Sequence, residues 1–271
     1  MRSANPGTAP TAKLAIIAGG GDLPGLLVAA CRDSGRDSFV LAYRGVGEVD
    51  SVVPDAWVDI GRVGDTFAAL RAAACEEVVL AGPIRRPKLS ALKLDRHGRA
   101  MLGKLTRAWG RDDALLSVIV AELESEGFRV VGADDVLGEL LAKEGPLGRL
   151  APDGRAAADI AVGVEVLAAL GALDIGQGVV VQGGRVLGIE AAEGTDELID
   201  RCAELRGDDE ARPVLVKLPK PGQERRVDLP AVGVTTVVRA AAAGFAGIAI
   251  QSGGALVMDR ESLIDRADEL G

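Results

Sequence analysis

Short apolar runs that end on glycine and pass straight into helically spaced segments recur along this chain, and no other feature restricts its fold more. Lys13 to Ala18 (KLAIIA) meets Gly19-Gly20-Gly21-Asp22, and Leu23 to Cys31 then follows helical spacing. An extended run, a glycine turn and a helix make the opening of a βα unit. Phe39 to Ala42 and Glu77 to Leu80 read as further strands, with a helix over Asp65 to Ala74 between them. A helix over Asp112 to Ser125, a strand over Phe128 to Val131 and a helix over Asp134 to Leu141 continue the series. Alternation of this kind predicts an α/β fold whose first half is a Rossmann-like open sheet with helices on both faces.

Residues 143–153 (KEGPLGRLAPD) carry two prolines and two glycines without periodicity, which predicts a linker. Residues 13–142 then form an N-terminal α/β domain, and residues 154–271 a second α/β domain, with a cleft expected between them. Residues 1–12 are small, polar and proline-bearing, lack the apolar core of a signal peptide, and read as a disordered lead-in. Beyond the linker a helix is expected over Arg155 to Leu170. Gly178 to Gln182 and Arg185 to Ile189, separated by Gly183-Gly184, predict a hairpin. Thr195 to Leu205 reads as a helix capped by Thr195 or Asp196. Val214 to Lys217 reads as a strand, Thr235 to Ala243 as a helix, and Ile248, Ala255 to Met258 and Glu261 to Leu270 complete the layer.

Several classes of function are excluded by what the chain lacks. Cys31, Cys75 and Cys202 are scattered and odd in number, which argues against disulfides and sulfur-ligated metal. His97 is the one histidine, so a metal would have to sit among carboxylates, as Mg²⁺ or Mn²⁺ does. Every apolar run is interrupted short of the roughly 18 residues that a membrane span needs, and a cytoplasmic protein is expected. The net charge of −9 disfavours nucleic acid as a partner. Charge is nonetheless uneven: Arg85 to Arg111 holds nine basic residues against one acid, Asp95, with leucines between them. That stretch is either a solvated helix pair or a surface for phosphates or anionic lipid headgroups.

Four segments carry residue types suited to chemistry. Gly19 to Pro24 is either a tight βα turn with Asp22 as cap or a loop whose backbone N–H groups receive an anion. It is not the GxGxxG of dinucleotide sites, and Ala42, Tyr43 and Arg44, about 20 residues on, offer no ribose-binding acid. Those two absences weigh against a nucleotide-dependent oxidoreductase or transferase. Gly82, Arg85 and Arg86 follow a buried strand, where two arginines can grip phosphate oxygens or simply face solvent. Arg111-Asp112-Asp113 opens a helix, either as a cap or as a carboxylate pair. The densest segment is Lys217 to Gly233. There prolines stiffen a loop bearing Lys217, Lys220, Glu224, Arg225, Arg226 and Asp228, and Glu190, Glu193, Thr195 and Asp196 end another strand upstream. Cations for phosphate and carboxylates for a hard cation or water are the ingredients of metal-assisted hydrolysis. A charged, solvated loop and a non-catalytic nucleotide- or phospholipid-binding module remain alternatives.

These segments together resemble the LpxI-type UDP-2,3-diacylglucosamine pyrophosphatases of lipid A biosynthesis. The likeness rests on IIAGGGDLP (Ile16 to Pro24), AGPIRRP (Ala81 to Pro87), RDDALL (Arg111 to Leu116), LDIGQGVVV (Leu173 to Val181), EAAEGTD (Glu190 to Asp196) and KLPKPGQERRVDLPAVG (Lys217 to Gly233). Glu224 departs from the aspartate expected after Gln223, so Asp228 is the carboxylate with most weight. The resemblance implies Mg²⁺-assisted hydrolysis of a lipid-linked nucleotide sugar, UDP-2,3-diacylglucosamine, to UMP and 2,3-diacylglucosamine 1-phosphate (lipid X). It implies Asp228, Lys217, Lys220 and Glu224 as catalytic residues. Gly20, Gly21, Asp22, Gly82, Arg85, Arg86, Gln177, Thr195 and Gln223 would hold substrate, and Asp228, Glu190 and Asp196 the metal. Peripheral association with the anionic inner-membrane surface is a further implication, and a homodimer is compatible with it.

Overall fold

All five residues of β1 (Leu14–Ala18) are buried, which explains why this run shows no polar alternation: a strand covered on both faces needs apolar side chains at every position. The computed structural model describes residues 12–271 except 47–48, 86, 89, 91, 109–111, 172, 174, 208–210 and 222–223, and the side chains of 107–108 and 112–113. Nearly all of the lead-in, Arg86, Arg111, Gln223 and the Asp112 and Asp113 side chains therefore lie outside the described residues. The chain divides into two compact units, residues 1–138 and 139–271.

In the first unit β1 is followed by α1 (Leu23–Ser34), β2 (Ser38–Tyr43), β3 (Ala56–Val58), α2 (Val63–Ala72) and β4 (Glu77–Ala81). Then come α3 (Arg96–Ala108), α4 (Asp112–Ser125), β5 (Arg129–Val130) and α5 (Ala133–Val136). The five strands are parallel in the order β3-β2-β1-β4-β5. The chain moves outward from β1 through β2 and β3, then crosses back to β4, so the β1–β4 crevice is the point where strand order reverses. Glu77, buried at the start of β4, is ion-paired with Arg36 and Arg129. The helix expected over 134–141 closes after one turn, at Val136.

The second unit runs α6 (Gly154–Gly171), β6 (Gly178–Gln182), β7 (Arg185–Ile189), α7 (Thr195–Leu205), β8 (Val214–Lys217) and β9 (Ala231–Val232). It finishes with α8 (Val234–Ala242), β10 (Gly247–Ile250), β11 (Leu256–Val257) and α9 (Arg260–Leu270). A four-stranded mixed sheet has the order β10-β8-β6-β7, and β9 and β11 pair in parallel beside it. Period-two alternation sorts its core. Val180 and Leu215 point to a cluster with Leu198, Ile199 and Phe245, while Val179, Val181, Val214 and Val216 point to α6. The β6–β7 hairpin turns on Gly183 and Gly184, both at positive φ (57° and 77°), the conformation that a two-residue turn of this hand requires. Buried Asp159 of α6 secures it by accepting from both turn N–H groups, at 2.9 and 2.6 Å.

Candidate functional site

The carboxyl end of β8 delivers Lys217 into a buried position, 6% exposed. Its Nζ donates to Thr195 Oγ1 at 2.7 Å and to the Ala231 carbonyl at 3.3 Å. Thr195 Oγ1 in turn donates to Glu190 Oε1 at 2.7 Å. The sheet explains the meeting. Lys217 pairs with Gly178 at the start of β6, the Glu190 N–H donates to the Gly178 carbonyl at 2.8 Å, and Thr195 opens α7 just beyond. Ends of three neighbouring strands thus converge on one edge, the usual place for ligands in an open α/β sheet.

Gln177 precedes β6, and its side-chain nitrogen donates to both Asp228 oxygens, at 3.3 and 3.4 Å, tying the loop after β8 back to the sheet. Two further oxygens stand out. Gln177 Oε1 and Glu190 Oε2 are buried without a hydrogen-bond partner among the described residues, an arrangement that costs free energy unless a donor or cation answers it. Gly178 presses against the same carboxylate: a Cβ there would lie 2.6 Å from Glu190 Oε2. Burial lowers the Lys217 pKa below the ordinary lysine value, and the charges of Glu190, Asp196 and Asp228 counter it by favouring the ammonium.

Among the other expected residues, Asp196 is ion-paired with Arg239 of α8 at 3.4 Å, a partner that its sequence distance conceals. Glu224 is paired with Arg226 at 2.8 Å, and this hydrogen bond holds its carboxyl below the usual range. Lys220 is half-buried in the same loop. The cap expected at Thr195 or Asp196 falls instead on Gly194, which makes no side-chain cap bond, because the Thr195 hydroxyl is committed to Lys217 and Glu190. No group of three or more His, Cys, Asp or Glu among the described residues is placed to hold a metal ion by itself. Asp228 and Glu190 nonetheless both adjoin the Lys217 site. The spacing of Gly176 and Gly178 around Gln177 is the sequence signal for those glycines; nothing in the sequence marks Arg239.

In the first unit the two glycine loops meet each other at the β1–β4 crevice. The Gly19 N–H donates to the Ala81 carbonyl at 2.7 Å and that of Gly20 to the Pro83 carbonyl at 2.9 Å. A Cβ on Gly19 would lie 2.5 Å from the Gly82 and Pro83 oxygens, so close backbone passage is one use of these glycines. Asp22 stands at the N-cap of α1 but makes no side-chain cap hydrogen bond, and first-turn N–H groups have no partner within a helix. Arg85 is exposed on the β4 side of this crevice, its backbone N–H bonded to the Val46 carbonyl at 2.7 Å.

Fold and site together define a two-unit α/β protein with a glycine crossing at the switch point of one sheet and a buried lysine–carboxylate cluster at the strand ends of the other. Residues 13–140 match the LpxI N-terminal domain family and residues 143–271 the LpxI C-terminal domain family. The chain belongs to the LpxI family. A relative from Caulobacter vibrioides, described as UDP-2,3-diacylglucosamine pyrophosphatase LpxI, is 46% identical over 266 residues, covering 96% of this chain and 95% of its own.

Proposed function

We propose that the protein hydrolyses the pyrophosphate bond of UDP-2,3-diacylglucosamine, releasing UMP and 2,3-diacylglucosamine 1-phosphate for lipid A synthesis. The observation that carries this is the buried Lys217 with Thr195, Glu190, Gln177 and Asp228 around it, in a chain so similar to a relative of that name. A dianionic diphosphate needs fixed positive charge, and a buried ammonium is worth more than an exposed one because water screens it less. Lys217 supplies it, with Lys220, Arg85 and Arg86 beside the phosphates and Gln223 against the substrate.

Asp228, steadied by the Gln177 amide, orients the attacking water and accepts its proton as the new P–O bond forms and the bridging P–O bond breaks. An amide oxygen of Gln177 and a carboxylate oxygen of Glu190, both buried without donors among the described residues, are an oxygen-only set of the kind Mg²⁺ prefers, since that ion is commonly held by one or two carboxylates and the substrate phosphates. Asp228 and Glu190 would hold it, with Asp196 acting at longer range. When bound, Mg²⁺ neutralises phosphate charge. Glu224 supports the loop through Arg226. The nucleotide phosphate lies against Gly20, Gly21, Asp22 and Gly82.

Among the described residues no helix is long and apolar enough to cross a membrane. The substrate is collected at a bilayer face in this account, through α3, where Arg96, Arg99 and Lys104 are exposed and Met101 is buried. The test is product identity: purified protein with the diacylated substrate and Mg²⁺ yields UMP and lipid X. UDP in place of UMP, or no product with any divalent cation, overturns it.

A further inference from the structure

Arg239 of α8 carries a charge that the chemistry above does not use. It is paired with two carboxylates of α7: its Nε lies 3.4 Å from Asp196 Oδ2, and its Nη1 donates to Asp200 Oδ2 at 2.8 Å. Residues four apart are neighbours on one helix face, and the planar fork of a guanidinium can serve both carboxylates at once.

Stability does not account for this arrangement. The Arg239, Asp196 and Asp200 side chains are 40%, 38% and 62% exposed, and pairs so accessible contribute little to folding because water screens them. Apolar packing of Leu198, Ile199 and Cys202 with Ala240 already joins the two helices. Location accounts for it better. Both acceptors of the Lys217 ammonium lie where these helices begin: Thr195 is the first residue of α7, and Ala231 belongs to β9, which leads into α8 through Gly233. Asp196 adjoins Thr195, and its charge acts on Lys217 together with those of Glu190 and Asp228. One cation therefore faces three carboxylates. An unanswered Asp196 would draw on the ammonium and repel a diphosphate, whereas Arg239 neutralises that charge where it arises.

We propose that Arg239 is a positioning residue of the site: by holding the Asp196 carboxylate it keeps the Lys217 ammonium free for the substrate diphosphate. The proposal rests on the diphosphate substrate argued above. It also gives Asp196 a role as the partner of Arg239 in place of a direct contact with metal.

A cycle of variants tests it. Arg239→Gln is made in wild type, in Asp196→Asn and in Asp200→Asn, and thermal unfolding confirms that each protein folds. KM and kcat are measured on UDP-2,3-diacylglucosamine, and inorganic pyrophosphate is titrated by calorimetry at saturating Mg²⁺. In wild type Arg239→Gln is expected to raise KM and the pyrophosphate Kd about tenfold, the scale of one uncovered charge near a bound diphosphate. The kcat should stay within about twofold, because Arg239 touches no reacting atom and only uniform binding is lost. In Asp196→Asn the same change should have less than about a twofold effect, since the carboxylate it uncovers is gone. In Asp200→Asn, which alters net charge equally, the effect of about tenfold should remain. A change under about twofold in wild type, an equal change in Asp196→Asn, or its loss in Asp200→Asn overturns the inference. If pyrophosphate binding follows the expected pattern while no protein cleaves the substrate, the role of Arg239 stands and the hydrolase assignment falls. If wild type neither binds pyrophosphate nor cleaves the substrate, both fall.

Discussion

Thr195→Val tests whether the lysine cluster works as a connected unit. Valine keeps the shape of threonine and removes only the hydroxyl, which accepts from Lys217 Nζ and donates to Glu190 Oε1, both at 2.7 Å. After the change Lys217 retains its longer bond to the Ala231 carbonyl, at 3.3 Å. Glu190 loses the donor to Oε1, while Oε2 already has none among the described residues. A hydrogen bond to a charged group contributes about 1.5–3 kcal/mol. The two losses do not add fully, because the ammonium and the carboxylate relax toward each other. A net cost of about 2–3 kcal/mol follows, equal to roughly a 30- to 150-fold fall in kcat/KM if the geometry serves the transition state. Thr195→Ser restores the hydroxyl and should recover activity to within severalfold. Steady-state hydrolysis alongside thermal unfolding separates catalytic from structural loss. A Val variant with kcat/KM within threefold of wild type would refute the connected cluster.

Glu224→Gln removes the ion pair with Arg226, whose members are 23% and 36% exposed, so screening holds the loss to at most about 1 kcal/mol. The glutamate pKa is lowered by folding, so its contribution is present above the unfolded value of 4.5 and disappears as pH falls through the folded one; denaturant melts at pH 7 and pH 3 should differ accordingly. In the first unit Gly82→Ala drives a Cβ into the Gly20 carbonyl at a φ of 85°, whereas Gly21→Ala, at φ 77°, meets open space. The first should therefore destabilise the unit severely, and the second by only about 1–2 kcal/mol of backbone strain, both read by denaturant unfolding. Reversing Lys93, Arg99 and Lys104 to glutamate should weaken sedimentation with anionic vesicles at least 100-fold, since each basic residue contributes about 1 kcal/mol near such a surface.

Strand–glycine–helix alternation is enough to place β1, β2, β4, the β6–β7 hairpin and β8, because each is a short apolar run with its own turn chemistry. The strands β3 and β9 are not legible: two or three residues carry no periodicity, and pairing with β2 or with β11 makes them strands. The 134–141 helix falls short for a related reason. Arg260 donates to the Glu139 and Leu141 carbonyls, and Leu141 bridges to Leu256, so tertiary bonds draw this backbone away from helix. At the site, charge density in a proline-stiffened loop marks Lys217 and Asp228. Thr195 is visible as a cap but not as the link between a lysine and a glutamate, because that role depends on strand register. The glycine loops show the same limit, since their composition suits an anion and a backbone crossing equally, and only the Gly19 and Gly20 hydrogen bonds reveal the crossing.

The most direct measurement is UMP release from UDP-2,3-diacylglucosamine by wild type and by Asp228→Ala and Asp228→Asn, each confirmed folded by its thermal midpoint. Wild type is expected to release UMP in a metal-dependent way, with a loss of at least about 100-fold in both variants, as when a group acting in the transition state is removed. Folded variants that release UMP at the wild-type rate would move the chemistry away from the Lys217–Asp228 cluster and contradict the account.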